Sequence, residues 1–193
     1  MKTARAYLPF FQKWSLAVFI FLLLCFHTAS AQKIIGITTK YTDSFKEWDI
    51  ITDDPDIVGE LRMRWTFQND WAEWDLRVGD NVATIERKWK EDPNLWEIRC
   101  NGVIVTAKTT WRDEFIRWKL SDGKQQINWK SLYANKLDEW TTDKPDQFPF
   151  KVYTYWEGDP REWVVEDELP GEVSMAMRMA MIFLTVHFTA PHI

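Results

Sequence analysis

Asp70, Asp92, Asp113, Asp138 and Asp159 fall one to a loop at the same end of a series of short hairpins. Convergent carboxylate oxygens are what a calcium site or a glycoside hydrolase requires. Aspartate is also a turn residue, because its side chain bonds backbone N–H groups close by. One acid per turn, spread around a rim, fits turn chemistry better than a catalytic pair. Histidine adds little: beyond residue 31 it occurs only as His187 and His192, at the C-terminus. That argues against a Ser–His–acid triad and against a multi-histidine metal site. The sequence carries neither a Gly-rich phosphate loop nor a metal-spaced cysteine pair. The chain therefore reads as a non-enzyme with no metal and no cofactor. A carboxylate-based hydrolase at the rim is the alternative.

Four residues stand out as candidate partner or ligand contacts. Trp71 lies in the long loop Gln68–Glu73, and Phe115 has outward parity near the same end. Together they suggest an exposed aromatic pair on one rim. Arg87 and Arg178 interrupt apolar patterns, and unpaired burial of either would be costly. Each is expected to reach a carboxylate or the mouth of the fold, with Asp167 the candidate partner of Arg178. Such a polar spot in an apolar bore could bind an acidic headgroup, but a structural ion pair is the simpler reading.

The elements that position these residues follow from tryptophan spacing. Trp74, Trp96, Trp118 and Trp140 are each 22 residues apart, with Trp48 before and Trp163 after them. A second ladder, Tyr41, Trp65, Trp89, Trp111, Tyr133 and Trp156, precedes the first by seven residues in five cases of six. Such regularity implies one supersecondary unit, repeated. Asn101-Gly102 and Asp122-Gly123, with Gly79-Asp80 at the corresponding place, are two-residue hairpin signals. The Asp-Pro pairs at 92–93 and 159–160 suit turns as well. Period-2 alternation places Trp74, Leu76 and Val78, or Trp96, Ile98 and Cys100, on an inner face. The returning strands place Ala83, Ile85 and Trp89, Val105 and Trp111, and Trp129 and Tyr133 there too. Asp75, Arg77, Glu86, Lys88, Glu97 and Arg99 face out, so one side is buried and the other meets water. Twelve such strands should close into an all-β antiparallel barrel. Side chains alone do not fill a bore of that width. The segment 173–186, apolar around most of its circumference, is the expected plug: a buried C-terminal helix.

Residues 1–31 combine Lys2, Arg5 and Lys13, an apolar run from Leu16 to Phe26, and Ala29-Ser30-Ala31, which reads as a secretory signal peptide. Export to the periplasm or the medium is expected, with residues 32–193 as one domain and no transmembrane span after cleavage. Removing three cations and no acid leaves 21 Lys+Arg against 29 Asp+Glu, a net charge of −8. That balance disfavours nucleic acid and anionic membranes as partners. Only Cys100 remains, with inward parity, so no internal disulfide forms.

Leu169-Pro170, Met175 to Leu184 and Val186-His187-Phe188 resemble the proline, apolar helix and closing aromatic strand of the tubby-like superfamily, which includes phospholipid scramblases and LURP-one-related proteins. The resemblance spans the layout of residues 32–193 and implies a twelve-stranded barrel around its own C-terminal helix. The chain departs from the family in its export signal and in lacking a basic phosphoinositide-binding cluster. Glu166-Asp167-Glu168 is placed like the scramblases' acidic segment but has no ligand spacing. The expected function is a non-enzymatic exported binding or structural module that contacts a lipid-like ligand or an envelope protein.

Overall fold

A computed structural model of the protein describes residues 33–192, so the proposed signal peptide lies outside the described residues. Twelve strands follow in order: β1 Ile34–Tyr41, β2 Ser44–Thr52, β3 Gly59–Trp65, β4 Asp70–Val78, β5 Asn81–Arg87 and β6 Leu95–Cys100, then β7 Val103–Thr109, β8 Arg117–Ser121, β9 Gln126–Ser131, β10 Glu139–Thr142, β11 Phe150–Thr154 and β12 Glu162–Asp167. Each pairs antiparallel with its sequence neighbour, and β1 pairs with β12 to close the barrel. Helix α1, Met175–Thr189, ends the fold.

Alternation does what the sequence implies along the body of each strand. Leu76, Val78, Ala83, Ile85, Ile98, Val105 and Leu120 are fully buried. The outer wall carries ion pairs instead, such as Arg64 with Asp75 at 2.6 Å and Lys88 with Glu97 at 3.0 Å. A wall of this composition faces water. The turns follow their chemistry less uniformly. Asn101 and Gly102 both have positive φ, as a type I′ turn demands. Asp122-Gly123 instead opens a four-residue connection, because the Asp122 carboxylate accepts from the N–H groups of Lys124 and Gln125 at 2.9 Å. At the Asp-Pro sites the hydrogen-bonded turns close earlier, on Trp89–Asp92 and Trp156–Asp159, and the prolines follow.

α1 is buried from Ala176 to His187 on every side, with its nearest strands β5 to β8. Ser174 caps its N-terminus through Oγ to the Met177 N–H. The helix starts two residues later than the sequence suggests and ends three later. The segment Val186-His187-Phe188, which the family resemblance makes a strand, is its last turn. These residues stay helical because His187 and Phe188 find aromatic partners in the barrel mouth, Trp96 for the first and Phe115 and Trp118 for the second, while Phe183 one turn earlier on α1 stacks on His187.

Candidate binding rim

Six hairpin loops, joining β1–β2, β3–β4, β5–β6, β7–β8, β9–β10 and β11–β12, meet at the end of the barrel where α1 finishes. The first tryptophan ladder lies just inside this end. Trp48, Trp74, Trp96, Trp118, Trp140 and Trp163 are each at most 1 % exposed. Every one of these indoles donates its N–H to the carbonyl of the residue three positions earlier, at 2.8–3.1 Å. The acceptors belong to Phe45, Trp71, Pro93, Phe115, Leu137 and Pro160, an apolar residue in every case. Pro93, Phe115, Leu137 and Pro160 thereby fix a loop to the strand it feeds, whereas Phe45 and Trp71 already lie in β2 and β4, so Trp71 is a strand residue and not the loop residue expected.

That arrangement corrects the expectation for Trp71 and Phe115. Trp71 is buried at 8 % exposure, tilted against Trp74 and stacked on His192 at 4.1 Å. Phe115 is half-buried and stacked on Phe188 at 4.9 Å. Neither offers an exposed pair to a partner, because both belong to the set of carbonyl acceptors that closes the barrel.

The second ladder is corrected in the opposite sense. Tyr41, Trp65, Trp89, Trp111, Tyr133 and Trp156 are between 45 % and 63 % exposed, one on each hairpin. The reason is local. The Lys88 N–H still bonds the Leu95 carbonyl, but Trp89 is the first residue of the turn that Asp92 closes. Corresponding bonds join Thr110 to Arg117 and Tyr155 to Glu162, and corresponding turns start at Trp111 and Trp156. Tyr41 and Trp65 still lie in β1 and β3, where a register irregularity immediately before each breaks the alternation, and the mouth is already filled. The exposed aromatics therefore ring one end of the barrel, joined by Tyr155 and a fully exposed Phe67. Sequence reasoning placed this ladder inside. The signal it lacked was the apolar residue three before each inner tryptophan, which claims the inner position.

Charged groups at this end are largely engaged. Asn94, buried, donates to Asp92 at 2.9 Å and to Asp113 at 3.0 Å, and it accepts from Thr109 and from the Asp113 N–H. Those bonds, with the Asn94 side chain first, hold the Asp92 carboxyl below its ordinary range. Asp159 likewise binds Arg161, which lowers its pKa. Arg178 meets Asp167 as expected, Nε to Oδ2 at 2.8 Å with both side chains buried. Its other donors go to the carbonyls of Leu169, Pro170 and Val173. This guanidinium is consumed by the fold, away from the rim. Arg87 reaches the mouth rather than a carboxylate. Its guanidinium lies over Trp96 at 5.4 Å and bonds the Lys90 carbonyl at 3.3 Å. Its buried Nε has no partner among the described residues.

One open groove opens onto this end. It runs from the β9–β10 and β11–β12 loops down the outer wall, encloses about 540 Å³, and is lined by Tyr133, Asn135, Lys136, Asp138, Glu139, Tyr153, Thr154, Tyr155 and Glu157. Comparison with protein-family models, with curated proteins and with solved structures gives no match to this chain.

Proposed function

We propose that the protein is an exported, non-enzymatic binding module that engages its partner through the aromatic rim. The observation that carries this reading is the recurrence of an exposed ring on all six hairpins, at Tyr41, Trp65, Trp89, Trp111, Tyr133 and Trp156. Scattered exposed aromatics are ordinary, whereas one on every hairpin at the same end marks a contact surface. Aromatic rings bring about 150–250 Å² each. Half of that from six rings is on the order of 600 Å², close to the roughly 800 Å² per partner of a stable interface. Tryptophan and tyrosine also suit such a surface because they order few side-chain rotors on binding.

Export follows from residues 1–31 and belongs to the proposal, with cleavage after Ala31. So does membership of the tubby-like superfamily, which the twelve-stranded layout around a C-terminal helix supports; the binding function rests on the rim and not on the fold. The hydrolase alternative has its best pair in Asp138 and Glu157, which share the Lys136 ammonium. Asp92 and Asp113 are occupied by Asn94.

The test is co-sedimentation with the insoluble envelope of the protein's own host. The wild type is expected in the pellet. Trp89→Ala/Trp111→Ala/Trp156→Ala is expected in the supernatant with an unchanged melting temperature. Equal sedimentation of the two proteins would refute the rim as the contact surface.

A further inference from the structure

We propose that the groove between the β9–β10 and β11–β12 hairpins binds a neutral glycan chain. This inference rests on the reading of the rim as a contact surface and names the ligand class for one sector of it. The groove's volume of about 540 Å³ lies within the roughly 300–1,000 Å³ of small-molecule sites. Its walls include three tyrosines. Tyr133 and Tyr155 are exposed, and Trp156 braces Tyr155 edge-on at 5.0 Å and 85°. Tyr153 is held by Lys151 over its ring at 4.9 Å and by its hydroxyl donating to Glu166 at 3.1 Å. Flat rings with polar tips match a pyranose, which presents a C–H face to stack and hydroxyls to bond.

The polar groups select against ions. Lys136 holds Asp138 at 3.1 Å and also holds Glu157, while Lys151 holds Glu139 at 2.6 Å. Each carboxylate already has a cation, so the groove has no open charge to offer a cationic ligand. Three acids against two lysines leave one negative charge in excess, which disfavours an anion. Paired carboxylates keep lone pairs beyond those given to the lysine, and the Lys136 ammonium keeps one donor, so both still bond neutral hydroxyls. Shape favours a chain over a bilayer. The groove descends from loop residues Tyr133 and Glu157 to strand residues Glu139 and Tyr153, which pair across β10 and β11 on the outer wall. A flat membrane meets loop tips and does not enter a flank; a polysaccharide chain does.

The test is calorimetric titration of the protein with cello-, chito-, malto- and laminari-hexaose and with the neutral polysaccharide extracted from its host's envelope. Phosphatidylcholine vesicles form a separate arm. One of the glycans is expected to bind, and Tyr133→Ala/Tyr155→Ala should weaken it at least tenfold while melting cooperatively. Val82→Ala/Ile104→Ala, exposed on the outer wall of β5 and β7, should leave it within twofold. Turnover of the bound glycan would still place the ligand in this groove. No glycan bound, or binding indifferent to the tyrosine pair, overturns the inference. Rim-dependent sedimentation with vesicle binding in place of glycan binding overturns it while the rim reading stands. Loss of both would remove the rim reading as well.

Discussion

His187 lies in the barrel mouth between Trp96 and Phe183, each with its ring 4.9 Å away, and Trp74 at 5.7 Å. Its buried Nδ1 has no hydrogen-bond partner among the described residues. Burial, then the neighbouring His192 and Arg87, push its pKa well below the usual 6.5. A helix C-terminus favours a cation, but desolvation wins here. The unfolded chain then takes up a proton near pH 6.5 that the folded chain refuses. Stability is full above that pH and falls as pH drops below it, by at most about 1.4 kcal/mol per pH unit for one group. Urea midpoints at pH 7.5 and 5.5 should therefore differ less in His187→Phe than in the wild type. Arg178 shows the opposite strategy, a buried charge with every guanidinium nitrogen bonded. Removing one partner leaves a buried charge uncompensated, which costs about 3–5 kcal/mol. Arg178→Met and Asp167→Asn should each lose that much in denaturant titration. The double variant Arg178→Met/Asp167→Leu should recover most of it.

Each hairpin divides its aromatics by element rather than by type. Along β5 and β6 the ladder of bonds enforces alternation, so Ile85, Ile98 and Trp96 are buried as the sequence implies. Strand count, pairing order and the buried helix are legible for the same reason: period-2 pattern, turn residues and an all-round apolar segment each report a backbone geometry directly. The rim is illegible from parity because Trp89 and Trp111 sit past the last strand pair, where turn dihedrals set direction. Trp71 and Phe115 look outward by the same rule, yet competition for the mouth turns them in. Arg178 with Asp167 is legible because buried charge demands a partner, and Asp167 shares the inward parity of Trp163 and Val165. The two ladders should consequently respond differently to substitution. Trp96→Phe keeps an aromatic ring but strands the half-buried Pro93 carbonyl and leaves a void in the core, an expected loss of about 1–3 kcal/mol. Trp89→Ala, on the surface, should change stability by no more than about 0.5 kcal/mol. A thermal melt of the two variants side by side checks the assignment.

Closure depends on one joint unlike the others. Eleven strand pairs link sequence neighbours, and β1 to β12 alone joins the two ends of the sheet, at Gly36 with Val164, Ile37 with Trp163 and Thr38 with Glu162. Local hairpins reward their own loop closure early, whereas this seam requires the longest loop and forms around a helix encoded after every strand. The seam is thus where the molecule should open first, and a covalent link there tests closure directly. Thr38 and Glu162 are opposed on the outer face, since their neighbours Ile37 and Trp163 point in. Opposed residues in antiparallel strands hold their Cβ atoms about 4.5–5.5 Å apart, near enough for a disulfide after small adjustment. Cys100 is buried, and burial raises its thiol pKa, so it competes poorly for oxidation. Thr38→Cys/Glu162→Cys should therefore oxidise within one molecule, migrate faster on a non-reducing gel and gain up to about 4–5 kcal/mol by constraining the unfolded chain. Disulfide-linked dimers in place of the intramolecular bond would mean that β1 and β12 stand apart in solution, and the barrel would then be an open sheet.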